Sequence, residues 1–176
     1  MYVPAFMKSD LHTGKTVFLA LCLSLALVLS YVESVLPFHS GIPGAKLGLP
    51  NLVTVILLYA GMPAGAFLVA VMRILLSGFL FGNLFAILYS AAGFLLSFAA
   101  MILLKKSGLF GMTGVSVAGG VTHNIGQILV AVFLTNASVI SYLPFLVAAG
   151  TAAGIVIGLL GGIVAGRLPA GFMNGS

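Results

Sequence analysis

Few side chains in this 176-residue sequence could do chemistry, and the ones that could sit in unusual places. Arg73 lies ten residues past Pro63, inside a continuous apolar run. At ~1.5 Å per helical residue it is about 15 Å deep, near the middle of a bilayer. A cation there costs ~2.5–3.5 kcal/mol or more, so it must face the inside of a helix bundle. It needs an anion. The sequence supplies Glu33, about one turn from the outer end of the first apolar segment. One reading is a structural Arg73–Glu33 pair. The other has Arg73 facing an anionic ligand, with Glu33 tuning it or binding a ligand amine. The two are compatible.

The densest polar cluster is His123, Asn124 and Gln127, in VTHNIGQILV. His123 and Gln127 are four apart and share a helix face. Interhelical hydrogen bonding, at ~0.6 kcal/mol per bond and up to about 2, would account for one such residue. Three together exceed what one helix contact needs, so they read as the lining of a cavity. They make a poor metal site, with one His and neither carboxylate nor Cys nearby. No cofactor is expected. Lys46 and Glu33 would stand nearer the mouth of such a cavity, and Asn51, Asn83 and Tyr89 are further lining candidates. The stretch Gly41–Gly48 is glycine-rich but lacks the GxxxxGK[ST] spacing of a phosphate-binding loop. It reads as a plain connector or as an outward lid, with Lys46 attracting anions.

The elements that must hold these groups follow from composition. Hydrophobic residues make up 61% and charged residues 5%, with a mean hydropathy of +1.29. A soluble domain carries roughly 25% charged residues, so a water-soluble globule is excluded. The apolar runs are continuous rather than alternating, which selects helices over a barrel. The net charge of +5 does not indicate nucleic acid, because the basic residues are scattered. Cys22 is the lone cysteine, so no intrachain disulfide is possible.

The reading is all-α: a single six-helix transmembrane domain over 16–167, a cytoplasmic leader over 1–15 and a cytoplasmic tail over 168–176. The expected spans are Thr16–Leu36, a short second segment at Asn51–Ala60, a third from Pro63 to Phe81, Leu84–Leu104, Thr113–Leu134 and Ile140–Gly166. The second is too short to span alone unless Lys46–Leu49 joins it or it ends within the protein. Pro37–Pro50, with three prolines and three glycines, forbids a regular helix. With both termini inside, Lys8, Lys15, Lys105, Lys106 and Arg167 are cytoplasmic and only Lys46 is outside, as the positive-inside rule prefers. Gly150, Gly154, Gly158, Gly162 and Gly166 recur every four residues, a small-residue ridge for close helix packing. Ala20/Ser24 and Cys22/Ala26/Ser30 form similar rows on the first helix.

Four segments carry a resemblance: SYVESVLPF at Ser30–Phe38, AKLGLPNLVT at Ala45–Thr54, RILLSGFLFGNLF at Arg73–Phe85 and VTHNIGQILVA at Val121–Ala131. They resemble the Gx transporter family, also labelled heptaprenyl diphosphate synthase component I, from Thr16 to Gly166. That family is similar to the substrate-binding S components of energy-coupling factor transporters. The resemblance implies a six-helix protein of the bacterial cytoplasmic membrane that binds a vitamin-like solute from outside, beneath the loop joining helices one and two. It also implies a transmembrane coupling subunit and two ATPase subunits as partners, with lid motion or toppling giving access. Docking in such proteins uses an AxxxA pattern on helix one, of which Ala20 and Ser24 here form a conservative variant. The alternative is a non-catalytic membrane partner of a prenyl diphosphate synthase or quinone-pathway enzyme. An enzyme is not expected. Asp10 and Glu33 alone cannot build the Asp-rich Mg²⁺ sites of prenyl chain elongation, and no Walker A motif is present.

Overall fold

The computed structural model describes residues 5–35, 48–135 and 137–167, with side chains from Thr13 onward. Lys46, most of the Pro37–Pro50 loop and the tail from 168 lie outside the described residues. The described residues form six α-helices: α1 (Ala5–Val35), α2 (Asn51–Tyr59), α3 (Pro63–Phe81), α4 (Leu84–Ser107), α5 (Met112–Leu134) and α6 (Leu143–Ala165). A turn of 3₁₀-helix over Ala137–Tyr142 leads into α6. Helix α1 begins at Ala5, so part of the expected leader is helical.

Five segments are long and apolar enough to cross a membrane. The short second segment is α2, and it is too short to span alone, as its expected bounds implied: nine residues rise only about 13 Å. Punctuation at both ends explains this. Gly48 adopts φ +69° just before the helix, and Gly61 adopts φ +75° just after it, a conformation glycine takes without penalty. Pro63 then starts α3 at a position where its missing N–H costs nothing. Helix α2 is instead internal. Val53, Val55, Leu57 and Leu58 are all buried and belong to the main apolar core.

Helix directions follow from specific contacts. The backbone at Gly65 lies against Leu19, and Tyr31 packs edge-on against Phe81 with centroids 5.8 Å apart, so α1 and α3 run parallel. Gly78 meets Ile87, Gly119 meets Met101 and Gly158 meets Thr113, so α3–α4, α4–α5 and α5–α6 are antiparallel. Val35 and Pro63 are therefore at opposite ends, and the segment containing α2 carries the chain back across. Lys15, Lys105, Lys106 and Arg167 consequently share one end of the bundle. There Lys105 fastens α2 to α4. Its Nζ donates to the Leu58 carbonyl and sits 5.1 Å above the Tyr59 ring, pairing a cation with the negative end of a helix dipole.

Lipid tails are as apolar as leucine, so helices in a bilayer associate through close packing rather than hydrophobic expulsion. The α5–α6 interface shows this. A Cβ added at Gly120 would lie 2.3 Å from the Gly150 carbonyl oxygen, and one at Gly154 or Gly158 would lie 2.5 Å from the backbone of Val117 or Thr113. The expected glycine ridge therefore packs at Gly150, Gly154 and Gly158. It does not extend to Gly162, where an added Cβ meets nothing within 4 Å, and Gly161 faces Met112 instead. At about 3.6 residues per turn, a four-residue repeat rotates roughly 40° per step and leaves the interface after three steps.

Candidate functional site

All six helices, or the turns beside them, contribute to one cavity of about 400 Å³ with mixed polar and apolar walls. Helix α1 gives Ser30, Glu33 and Ser34; the approach to α2 gives Gly48, Pro50 and Asn51; α3 gives Arg73, Ile74, Ser77, Gly78 and Phe81. Helices α4 and α5 add Ser90, Phe94, His123, Asn124 and Gln127, and α6 adds Gly150 and Ala153. Its size suits a small organic solute.

Each wall has a local cause. Arg73 and Ser77 are one turn apart and therefore face the same way. Arg73 is half-buried and electrostatically coupled to Glu33, but it makes no hydrogen bond to a described residue. Glu33 accepts a 2.5 Å hydrogen bond from the Gly48 N–H, tying the chain before α2 to the top of α1. On α5 the His123 ring and carbonyl lie against Gly93 of α4, where an added Cβ would come within 2.9 Å of them. The glycine makes the room that places the imidazole at the chamber wall. Asn124 is 7% exposed, and its Nδ2 donates 2.6 Å to the Leu146 carbonyl of α6. It thus makes the interhelical bond while also lining the cavity. Phe94 closes an apolar side with Phe67 and Phe98, at ring separations of 5.2–5.5 Å.

Of the residues singled out from sequence, Arg73, Glu33, His123, Asn124, Gln127 and Asn51 are brought to this cavity. Asn83 and Tyr89 are not among its lining. Asn83 is the N-cap of α4, its Oδ1 accepting from the Ala86 N–H at 2.8 Å, so a turn with no residue to spare absorbs it. Tyr89 is half-buried elsewhere on α4. Lys46 lies outside the described residues. Ala20 and Ser24 are both exposed, the Ser24 hydroxyl returning to the Ala20 carbonyl at 2.9 Å, while Ala26 and Ser30 of the neighbouring row turn inward.

Sequence reading missed the hydroxyls. Ser30 is 8% exposed, and its Oγ has no hydrogen-bond partner among the described residues. Such a buried hydroxyl costs about 1–3 kcal/mol. The signal was available in spacing: Ser30 and Ser34 flank Glu33 on one helix face, and Ser77 is four residues from Arg73. Among the described residues no three His, Cys, Asp or Glu side chains come together as a metal site.

Apolar helices of spanning length around a chamber with a cation and amides define a multi-pass membrane protein with an internal polar site. The model of the heptaprenyl diphosphate synthase component I family matches residues 22–164, and the chain belongs to that family. No curated protein and no solved structure matches it significantly.

Proposed function

We propose that this chain is the membrane-embedded substrate-binding subunit of an energy-coupling-factor-type transporter, taking a small anionic vitamin-like or precursor solute from outside. The observation that carries the reading is the Arg73 guanidinium: it lines a 400 Å³ chamber within the bundle, in the field of the Glu33 carboxylate. A cation kept at membrane depth marks a ligand path. His123, Asn124 and Gln127 would read the solute's polar edge, Phe94 its apolar part. Glu33 and Lys46 would stand toward the mouth. Basic residues gathered at one bundle end support placing both termini in the cytoplasm of a bacterial cell, by the positive-inside rule. The chain has no nucleotide-binding motif, so partner ATPases and a coupling subunit would supply the energy, docking near Ala20 and Ser24. It would not itself be an enzyme.

Native mass spectrometry of the protein from its host membrane tests the reading. A co-purified small anion is expected, and Arg73→Ala should lose it while the helices stay folded. Retention of the anion by that variant, or loss of fold alone, sinks the anion site. The family's name favours a second reading, a non-catalytic partner of a prenyl diphosphate synthase. Co-purification of a synthase instead of ATPases would select it.

A further inference from the structure

Among the described residues four buried side-chain oxygens have no hydrogen-bond partner, those of Ser30, Tyr59, Ser97 and Ser116, and of these Ser30 lines the chamber. The hydroxyls of Ser24, Ser34, Thr122 and Thr151 each return to a carbonyl about one turn earlier. That of Ser30 does not, although the residue is 8% exposed and lines the chamber. Arg73 lines the same chamber from α3, also without a hydrogen bond to a described residue. Both lie between the two contacts that pin α1 to α3, Leu19 on Gly65 and Tyr31 on Phe81. One helix thus offers a buried donor and the other a cation with several donors, facing a common space.

We propose that a single oxyanion of the solute bridges Ser30 and Arg73 and so clasps α1 to α3. The group has at least two acceptor oxygens, as in a carboxylate, phosphate or sulfonate. Arg73 donates through its planar fork and Ser30 through Oγ. Among the described residues α1 packs mainly on α3, where Glu33 already attracts Arg73 and holds Gly48, so a bridge at Ser30 adds a further link between the same two helices. Occupancy of the chamber is thereby transmitted to the outer face of α1, where Leu21, Leu25 and Val28 are exposed. The proposal rests on the solute-binding reading and adds to it the class of anchoring group, a second anchor and a consequence for α1.

The test uses the full chain in lipid-free detergent and in nanodiscs. Hydrogen exchange of 19–35 and of 112–134 is followed against inorganic phosphate and acetate, with chloride at matched ionic strength. Binding is read separately by native mass spectrometry. An oxyanion is expected to slow exchange in 19–35 severalfold and to leave 112–134 unchanged, while chloride alters neither segment. Arg73→Gln should abolish the effect and Ser30→Ala weaken affinity about tenfold, as loss of a hydrogen bond to a charged group does. Unchanged exchange in 112–134 certifies the fold of each variant. A bound oxyanion that leaves 19–35 unprotected, or an affinity that is unchanged in Ser30→Ala, overturns the clasp alone and leaves the binding reading standing. No binding by either oxyanion overturns both. Protection seen only in nanodiscs assigns the anion to a lipid headgroup and also overturns the proposal.

Discussion

The two sides of the chamber are built differently. On one side, α4, α5 and α6 are joined through glycines, backbone against backbone: Gly120 on Gly150, Gly126 on Ala92 and Gly93, Gly158 on Thr113. On the other, α1 meets α3 through side chains, with Leu19 over Gly65 and Tyr31 against Phe81. Backbone contacts have no rotamers to rearrange, whereas a leucine tip or an aromatic edge can move. The amides and imidazole of α5 are therefore presented by a fixed wall, and Ser30 and Glu33 by an adjustable one. On the proposed reading, solute recognition and solute access would be divided between the two sides. Recognition needs groups held in place, and access needs a wall that yields.

Substitutions can break this contrast. The largest effect is expected for Gly120→Ala, whose Cβ would overlap the Gly150 carbonyl. Helices α5 and α6 must separate, at a cost of about 3 kcal/mol, read as a large fall in thermal midpoint in detergent. A normal midpoint would mean that the glycine interface is not tight. Asn124→Leu comes next. It removes the bond to the Leu146 carbonyl and should lower stability by about 1–2 kcal/mol, with chamber binding lost in parallel. If binding falls and stability does not, Asn124 serves the ligand alone.

On the adjustable side, Glu33→Gln keeps an acceptor for the Gly48 N–H but removes the negative charge coupled to Arg73. Anion affinity should rise roughly fivefold, the equivalent of about 1 kcal/mol of relieved repulsion. A fall would instead show Glu33 holding a ligand amine. The smallest loss of stability is expected for Gly65→Ala. Its Cβ would lie 2.8 Å from Leu19 Cδ2, the end of a flexible side chain, and the change should stay within about 0.5 kcal/mol. Gly162→Ala is the matching control on α6, since nothing lies within 4 Å of it. It should be neutral or slightly stabilising, as alanine favours a helix over glycine by up to about 1 kcal/mol. A large loss at Gly65 would erase the distinction between the two sides.

The sequence by itself determined the membrane class, the long helices and the polar residues that had to face inward. Each rests on a cost that lipid imposes locally: unpaired backbone, buried charge and apolar length are legible residue by residue. Arg73, Glu33 and the α5 triplet were legible for that reason. Which small residues would touch, and where, was not. Gly162 continues the four-residue pattern of Gly158, but helical rotation carries it off the interface. Asn83 is as polar as Asn51, yet a helix cap consumes it while Asn51 reaches the chamber. The placing of His123 over Gly93 and the unpartnered Ser30 hydroxyl likewise depend on which helix lies opposite. Such pairings between distant segments were decided only when the chain packed, because close approach of two helices is a property of both surfaces at once.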